Sequence, residues 1–366
     1  MDTATRRRRL RIAEVVASLA IVVGIFAFAI PKFVRYDDVS RTVGAMTWPE
    51  IASLVLVGAL NIVTYWPLMM ASMPGLTLAQ AAVANQASTS VANTLPGGGW
   101  IATGLNYSMY RSWGFTNTDI GLTTIITAIW NTFVKLGMPV IALAAIAITG
   151  RASAALIIPT VVGIAVMVGA VGVFAGMLWR KSMARTIGGG LGRTATSVRR
   201  WFGKPAVDWG DAAVRFRTQT IGLVARRWPA LTLFAVSSHV ALYLVLLLAL
   251  RHVGVTGQEI TWAQVLSVFA FVRLISVLPI TPGGVGLIEL GYIGGLYVAG
   301  RTHATVPLDV FKAQVAGAVL VFRLVTFALQ IPLGAIAYVI WQRKRSWRKP
   351  VPDPFADPVV AARTFG

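Results

Sequence analysis

Apolar residues are grouped along the chain in long blocks, separated by shorter polar and basic segments. A helix needs about 20 predominantly apolar residues to cross about 30 Å of hydrocarbon. The blocks that reach this length predict transmembrane helices at 12–30, 50–71, 117–149, 153–179, 229–250 and 307–341. Two of them, 117–149 and 307–341, are longer than one crossing requires, so each is expected to tilt, to kink or to begin along the interface, with Pro139 and Pro332 as the predicted bend points.

Two further regions, 78–113 and 262–300, each contain a pair of shorter apolar arms around a proline- and glycine-rich break. The break reads LPGGG at 95–99 in the first region and LPITPGGVGLIE at 278–289 in the second. Arms of this length do not comfortably cross a membrane alone, and non-helical backbone is tolerated there only when it lines a cavity. Both regions are therefore predicted to be re-entrant helical hairpins.

The two hairpin regions share residues at nearly constant spacing, which predicts an internal repeat. The matching segments are 79–80 with 263–264, 96–98 with 282–284, and 133–136 with 322–324. The first two of these pairs are separated by 184 (263−79) and 186 (282−96) residues. The repeats, about 50–150 and 229–342, are predicted to have opposite orientations in the membrane, although chance similarity between apolar segments is an alternative.

Composition places the chain among helical membrane proteins, because its mean hydropathy is +0.71 and 56% of its residues are hydrophobic. The predicted fold class is an all-α polytopic membrane protein with about six full spans and two re-entrant hairpins. Residues 1–349 are expected to form a single transmembrane domain, and the proline-rich tail 350–366 is expected to be disordered. A cleaved secretory signal is an alternative for the N-terminal block, but a retained anchor fits its length better.

The net charge of +20 is concentrated between the apolar blocks, which favours a topological role over binding to nucleic acid. Basic residues cluster before the first block, in the loop 180–228 and in 343–349. All three segments are predicted to be cytoplasmic, so a multi-pass protein of the plasma (inner) membrane is expected, with both termini inside. The basic loop also has the composition of a segment that lies on anionic lipid.

Lys135, Arg273, Glu289, Lys312 and Arg323 are ionisable residues inside the predicted membrane region. Each isolated charge at the bilayer centre costs about 2.5–3.5 kcal/mol on insertion scales, so such groups pair or face water. An ion pair of Glu289 with Arg273 or Arg323 is predicted, which leaves the other cations available to hold an anion. A purely structural role for the pair, tying a hairpin to a span, is the alternative.

Glycines at the two breaks provide a second set of candidate anion-binding groups. Gly97 and Gly98 precede one helical arm, and Gly283 and Gly284, which follow Pro282, precede the other. Backbone N–H groups at a helix N-terminus attract phosphate or carboxylate. A tight turn alone also explains these residues, and the two explanations are compatible.

Motifs for nucleotide hydrolysis, HExxH metalloprotease chemistry or a GxSxG nucleophile do not occur, so neither an enzyme nor a cofactor is predicted. The chain has no cysteine, and its three histidines are scattered, so no metal site is predicted. The acidic pair Asp37-Asp38 supports an alternative, a membrane-embedded polyprenyl-phosphate-dependent glycosyltransferase.

The second break and its surroundings resemble a known family, the flippase-like integral membrane proteins built on the transmembrane region of lysylphosphatidylglycerol synthetase. The resemblance covers roughly 78–340. It rests on Arg273, the LP-x-x-PGG-x-G-x-x-E run ending at Glu289, Arg323-Leu324 with Pro332 and Gly334, and the LPGGG turn with Tyr107, Tyr110 and Gly114. It implies handling of lipid head groups by Arg273, Glu289 and Arg323. The synthetase domain of fused relatives is not expected after Lys349.

These observations together predict a lipid translocase that moves or binds an anionic, aminoacylated or other phosphate-bearing lipid. Membrane phospholipids are the expected partners, and a lipid-modifying enzyme and a second copy of the chain are further candidates. A non-transporting scaffold that recruits such an enzyme through the basic loop is a second alternative.

Overall fold

A computed structural model describes residues 44–95, 97–148, 209–276 and 282–350, with isolated positions between 37 and 41 and between 165 and 176. Apart from those positions, the predicted spans 12–30 and 153–179 lie outside the described residues. The same is true of the first part of the basic loop, up to residue 208, and of the tail from 351.

The described ranges are helical and contain no strand. Four helical stretches are long and apolar enough to cross a membrane, namely Trp48–Ser72, Asn117–Ile148, Thr220–His252 and Leu308–Arg343. They confirm four of the predicted spans and make the chain a helical, membrane-embedded protein. The helices are α1 (Trp48–Ser72), α2 (Leu78–Thr94), α3 (Gly98–Ser112), α4 (Asn117–Ile148), α5 (Trp209–His252), α6 (Trp262–Ile275), α7 (Leu287–Gly300), α8 (Leu308–Arg323) and α9 (Gln330–Arg343).

Helix α5 starts earlier than the sequence predicted. Residues 209–228, which the sequence analysis assigned to the basic loop, are helical and continue directly into the span. Charged and apolar residues are mixed in this stretch. Its mean hydropathy is therefore low, and the sequence did not predict a span there.

Four short helices form two sequential pairs, α2 with α3 and α6 with α7. The first helix of each pair starts with the same capping box, in which a threonine and a glutamine three positions later exchange hydrogen bonds. In α2 the backbone N–H of Thr77 donates to Gln80 at 3.0 Å, and in α6 that of Thr261 donates to Gln264 at 3.0 Å. These caps explain why both helices begin where they do.

Long helices α1 and α5 pack side by side and run antiparallel. Ser53 Oγ lies 2.8 Å from Nε2 of His252, and the side-chain amide of Asn61 donates to the carbonyl of Ser238 at 2.7 Å. Around this pair, α2 packs against α9 and α6 packs against α4. The first helix of each short pair therefore contacts a long span from the other part of the chain, since α9 belongs to the span Leu308–Arg343.

The last span is interrupted after α8. Residues Leu324–Ala328 form a π-helical segment, and α9 begins two residues before Pro332. A proline ring clashes with the carbonyl four residues earlier, here that of Ala328, so Pro332 accounts for an irregular turn at this place. The other predicted bend, Pro139, lies inside the continuous helix α4.

Glu259 connects the loops at one end of the molecule. Its carboxylate accepts hydrogen bonds from the backbone N–H groups of Thr256 at 2.8 Å and of Thr305 at 2.9 Å. Both threonine hydroxyls donate to it as well, and the residue is only 1% exposed. Burial alone would raise the pKa of Glu259, but these hydrogen bonds outweigh it and hold the pKa below its ordinary value of 4.5.

We expect Glu259→Gln to lower the free energy of unfolding in detergent by about 1–3 kcal/mol, since an amide cannot accept all four hydrogen bonds. The folded-state pKa is depressed, so this stabilisation is fully present above about pH 4.5 and is lost as the pH falls through the folded-state pKa. Thermal unfolding of the wild type and the variant between pH 3 and pH 7 measures this pH-dependent stabilisation. Asp309→Asn, at an exposed carboxylate, is the control, and an equal loss in the two variants would contradict the assignment.

Candidate functional site

A cavity of about 680 Å³ lies where the two breaks meet the long helices. We call it the cationic cavity. Its wall includes Gly97–Gly99 from the first break, Gly283 and Gly284 from the second, and residues of α1, α4, α5, α6 and the π-helical segment. The charged side chains that line it are Lys135, Arg273 and Arg323, and no carboxylate of the described residues does so.

Glu289 and Arg323 form the predicted ion pair, with Arg323 as the partner. The Nε of Arg323 donates to one carboxylate oxygen at 2.5 Å, and the backbone N–H of Gly286 donates to the other oxygen at 2.5 Å. Glu289 is 2% exposed and does not line the cavity. Both carboxylate oxygens therefore accept hydrogen bonds within the protein, which is the arrangement expected if the ion pair has a structural role.

Arg323 makes two further contacts at the second break. Its Nη2 donates to the carbonyl of Gly283 at 3.2 Å, and its guanidinium lies 4.1 Å from the centroid of the Phe327 ring. Gly283 has a φ of 56°, and a β-carbon there would collide with that ring. Glycine is therefore required for the turn to approach the π-helical segment this closely.

Arg273, the other candidate partner of Glu289, is not paired with it. The Nε of Arg273 is buried and has no hydrogen-bond partner among the described residues. Lys135 lines the same cavity and has no carboxylate partner in the described part of the chain. Desolvated cations without counter-ions are costly, so this arrangement favours the entry of an anion.

The first break is held by close packing. The N–H of Gly98 donates to the carbonyl of Leu95 at 2.9 Å, and Gly97 has a φ of 64°. A β-carbon on Gly98 would lie 2.6 Å from the carbonyl oxygen of Val91 and 2.7 Å from that of Ala92. Helix α3 begins at Gly98, so the partial positive charge of its N-terminus lies at the cavity wall.

The structure brings together seven of the nine candidate residues. Arg273, Arg323, Lys135, Gly97, Gly98, Gly283 and Gly284 all line the cationic cavity. Glu289 supports the wall from behind through Arg323 and Gly286. Pro282 starts the 3-10 turn Pro282–Gly284 and is not among the lining residues.

Sequence reasoning missed the uncharged polar residues of the wall. Asn61, Asn131, Ser238 and His239 line the cavity from the middle of long apolar helices. A polar side chain inside a membrane span is itself a signal, since its burial in lipid is costly. The prediction considered only charged residues and glycines, and it therefore missed these four residues.

The acidic pair that motivated a glycosyltransferase is only partly described. Asp37 is exposed, and its carbonyl accepts a hydrogen bond from the Ser40 hydroxyl at 3.1 Å. Asp38 lies outside the described residues. Within the described part of the chain, no three histidine, aspartate or glutamate side chains cluster in a way that could hold a metal ion.

We expect Glu289→Leu to destabilise the protein by about 3–5 kcal/mol, because it leaves the Arg323 guanidinium buried without a counter-ion. Replacing both residues, as Glu289→Leu with Arg323→Met, should restore much of this loss. Unfolding of the wild type, both single variants and the double variant in detergent gives the coupling energy. Additive losses would mean that the pair does not stabilise the second break.

We also expect Gly98→Ala to cost about 1–3 kcal/mol, because the new methyl group meets backbone carbonyls that cannot rotate away. The adjacent Gly99→Ala is the matched control. A β-carbon on Gly99 meets nothing within 4 Å, and alanine favours a helix over glycine. Measured unfolding free energies should separate the two variants, and equal values would contradict the packing described for the first break.

Comparisons with known proteins do not assign the chain to a family. No protein-family model matches it, and no curated protein matches it. The family resemblance stated from the sequence remains a prediction, and the chemistry of the cationic cavity is the basis for a functional proposal.

Proposed function

We propose that the protein is a lipid translocase, in which the cationic cavity receives the phosphate of an anionic lipid head group. The observation that carries the proposal is the pair of cations, Arg273 and Lys135, that line one cavity without a carboxylate partner among the described residues. Phosphate would supply the missing charge and accept hydrogen bonds from both side chains. The helix N-terminus at Gly98 favours the same anion.

Arg323 contributes to the structure of this site more than to its net positive charge. Its guanidinium is already neutralised by Glu289, so the net positive charge available to a ligand comes from Arg273 and Lys135. The ion pair fixes the second break against the π-helical segment and so keeps one wall of the cavity in place. Glu289 is accordingly proposed to be a positioning residue.

The lengths of the short helices support the proposal that both pairs are re-entrant hairpins. Helix α2 has 17 residues and α6 has 14, which at 1.5 Å per residue gives roughly 25 and 21 Å. Both fall short of the about 30 Å hydrocarbon core. Each hairpin would therefore enter the membrane, break at its glycine turn and return to the side from which it came.

Contacts between the ends of the helices support opposite orientations for the two hairpins. Thr123 near the start of α4 donates to the carbonyl of Ser72 at the end of α1. The α2–α3 pair lies between these two positions in the chain, so it begins and ends beside the C-terminus of α1. Arg251 at the end of α5 donates to the carbonyl of Ile260, just before α6. Since α1 and α5 are antiparallel, the two hairpins would open on opposite faces.

This arrangement fits alternating access, in which each repeat controls entry from one face to a shared site. It also accommodates the finer topology expected from the sequence: six spans, inverted repeats, both termini cytoplasmic and the plasma membrane as location. The resemblance to the flippase-like family supports the same substrate class. Transport, with membrane phospholipid as the partner, is the role proposed for the cavity.

A leaflet-exchange assay in proteoliposomes tests the proposal. The vesicles carry phosphatidylglycerol with a fluorescent acyl chain, and dithionite reports the fraction of dye in the outer leaflet over time. We expect the wild type to accelerate exchange, and we expect Arg273→Gln and Lys135→Met each to reduce the rate by about ten-fold or more, as a lost charge-assisted contact would.

Arg301→Gln is the matched control, because Arg301 is exposed at the end of α7 and does not line the cavity. Its exchange rate should equal that of the wild type. Unchanged rates in both cavity variants would remove the cavity from the proposal, and no acceleration by the wild-type protein would count against translocation itself.

A further inference from the structure

A second cavity of about 470 Å³ adjoins the cationic cavity. We call it the amide cavity. It shares part of its wall with the first cavity, including Asn61, Asn131 and Gln330, and it extends to Asn106 on α3. None of the described residues that line it is charged, and most of them carry an amide or a hydroxyl group. A ligand in the cationic cavity can therefore extend into an environment that is polar but neutral.

The amides of this cavity are orientated by hydrogen bonds. Asn61 donates to the carbonyl of Ser238 at 2.7 Å, Asn131 to that of Thr127 at 2.8 Å, and Gln330 to that of Thr326 at 2.8 Å. A carbonyl can only accept, so the nitrogen of each amide must point towards it. The three amide oxygens receive no hydrogen bond from the described residues and remain available as acceptors.

Asn106 gives an independent indication of a missing hydrogen-bond partner. Its Oδ1 is buried and has no hydrogen-bond partner among the described residues. Leaving a buried acceptor unpaired is costly, so such an atom usually meets a ligand or a water molecule. Tyr65 adds to the same pattern, because its hydroxyl accepts from Asn131 at 2.9 Å and keeps its own proton to donate.

We infer that the amide cavity receives the hydroxyl groups of a polyhydroxylated head group, such as glycerol or a sugar, joined to the lipid through a phosphodiester. This inference rests on the proposed function, since it requires the phosphate to lie in the cationic cavity. Hydroxyl groups donate to the free amide oxygens and accept from Tyr65. The substrate class is thus a phosphate lipid with a neutral, hydroxyl-rich head group.

An ammonium head group would also donate hydrogen bonds, but the charges oppose it. Lys135 and Arg273 line the adjoining cavity, and no carboxylate of the described residues lines either cavity. A second positive charge would be repelled by both side chains and would have no counter-ion. A hydroxyl group carries no such penalty, so the geometry favours hydroxyl over amine.

Binding of short-chain lipids to the purified full chain in detergent tests this inference. The probes are the dioctanoyl forms of phosphatidylglycerol, phosphatidylethanol and phosphatidylethanolamine, which share the phosphodiester and differ in the head group. We expect phosphatidylglycerol to bind about ten-fold more tightly than phosphatidylethanol, because a site built for hydroxyl groups discriminates against an analogue that lacks them. Phosphatidylethanolamine should bind no better than phosphatidylethanol.

Two variants separate this inference from the proposed function. Asn106→Leu should reduce the preference for phosphatidylglycerol over phosphatidylethanol to within about two-fold, as expected when one hydroxyl contact is lost. Arg273→Gln should weaken both anionic lipids alike. Ser108→Ala is the control, since Ser108 lies on the same helix and lines neither cavity.

Equal wild-type affinities for phosphatidylglycerol and phosphatidylethanol, with both weakened by Arg273→Gln, would overturn the hydroxyl assignment and leave the phosphate site in place. Tightest binding of phosphatidylethanolamine would also overturn it. If none of the anionic lipids binds, or if Arg273→Gln has no effect on them, the proposed function itself fails.

Discussion

The Glu289–Arg323 ion pair is the interaction on which the arrangement of the cavity depends. Backbone at the second break turns through glycines with positive φ at 283, 284 and 286, so it lacks the continuous hydrogen bonds of a helix. The carboxylate accepts from Gly286, and the guanidinium donates to Gly283, so one charge pair supports both ends of the turn. The same pair attaches that turn to the last span.

The Glu289–Arg323 pair determines which cations of the cavity wall keep an uncompensated positive charge. Since Glu289 neutralises Arg323, the cations of the cavity wall that lack a carboxylate partner among the described residues are Lys135 from α4 and Arg273 from α6. Helices α4 and α6 pack against each other, although they come from different parts of the chain. The cationic character of the cavity therefore depends on the tertiary fold and belongs to neither hairpin alone.

Sequence patterns predicted the four long spans of the described residues, the two broken regions and an ion pair at Glu289, because hydropathy, glycine content and the cost of buried charge are local properties. They left Arg273 and Arg323 as equal partners, since both are compatible with the hairpin and only packing distinguishes them. Asn61 and Asn131 were missed for a similar reason. One amide in an apolar helix has little effect on hydropathy, and its importance follows from the neighbours that the fold brings to it.

The two breaks are stabilised by different physics, although their glycine turns look alike in sequence. At the second break a buried charge pair holds the turn. At the first, Thr103 lies seven residues after Pro96, as Glu289 lies seven residues after Pro282, and its hydroxyl donates to the carbonyl of Gly99 on its own helix. The first turn is held instead by the contact of Gly98 with the end of α2. Separating the second hairpin from the last span therefore requires breaking a desolvated ion pair, whereas the first hairpin is joined to the last span by neutral contacts, among them the hydrogen bonds from Ser90 Oγ to the carbonyl of Ile331 at 3.0 Å and from Trp341 Nε1 to Ser112 Oγ at 3.0 Å. The attachment of the second hairpin therefore depends on one charge pair, whereas that of the first depends on neutral hydrogen bonds and packing, so loss of a single charge affects the two hairpins differently.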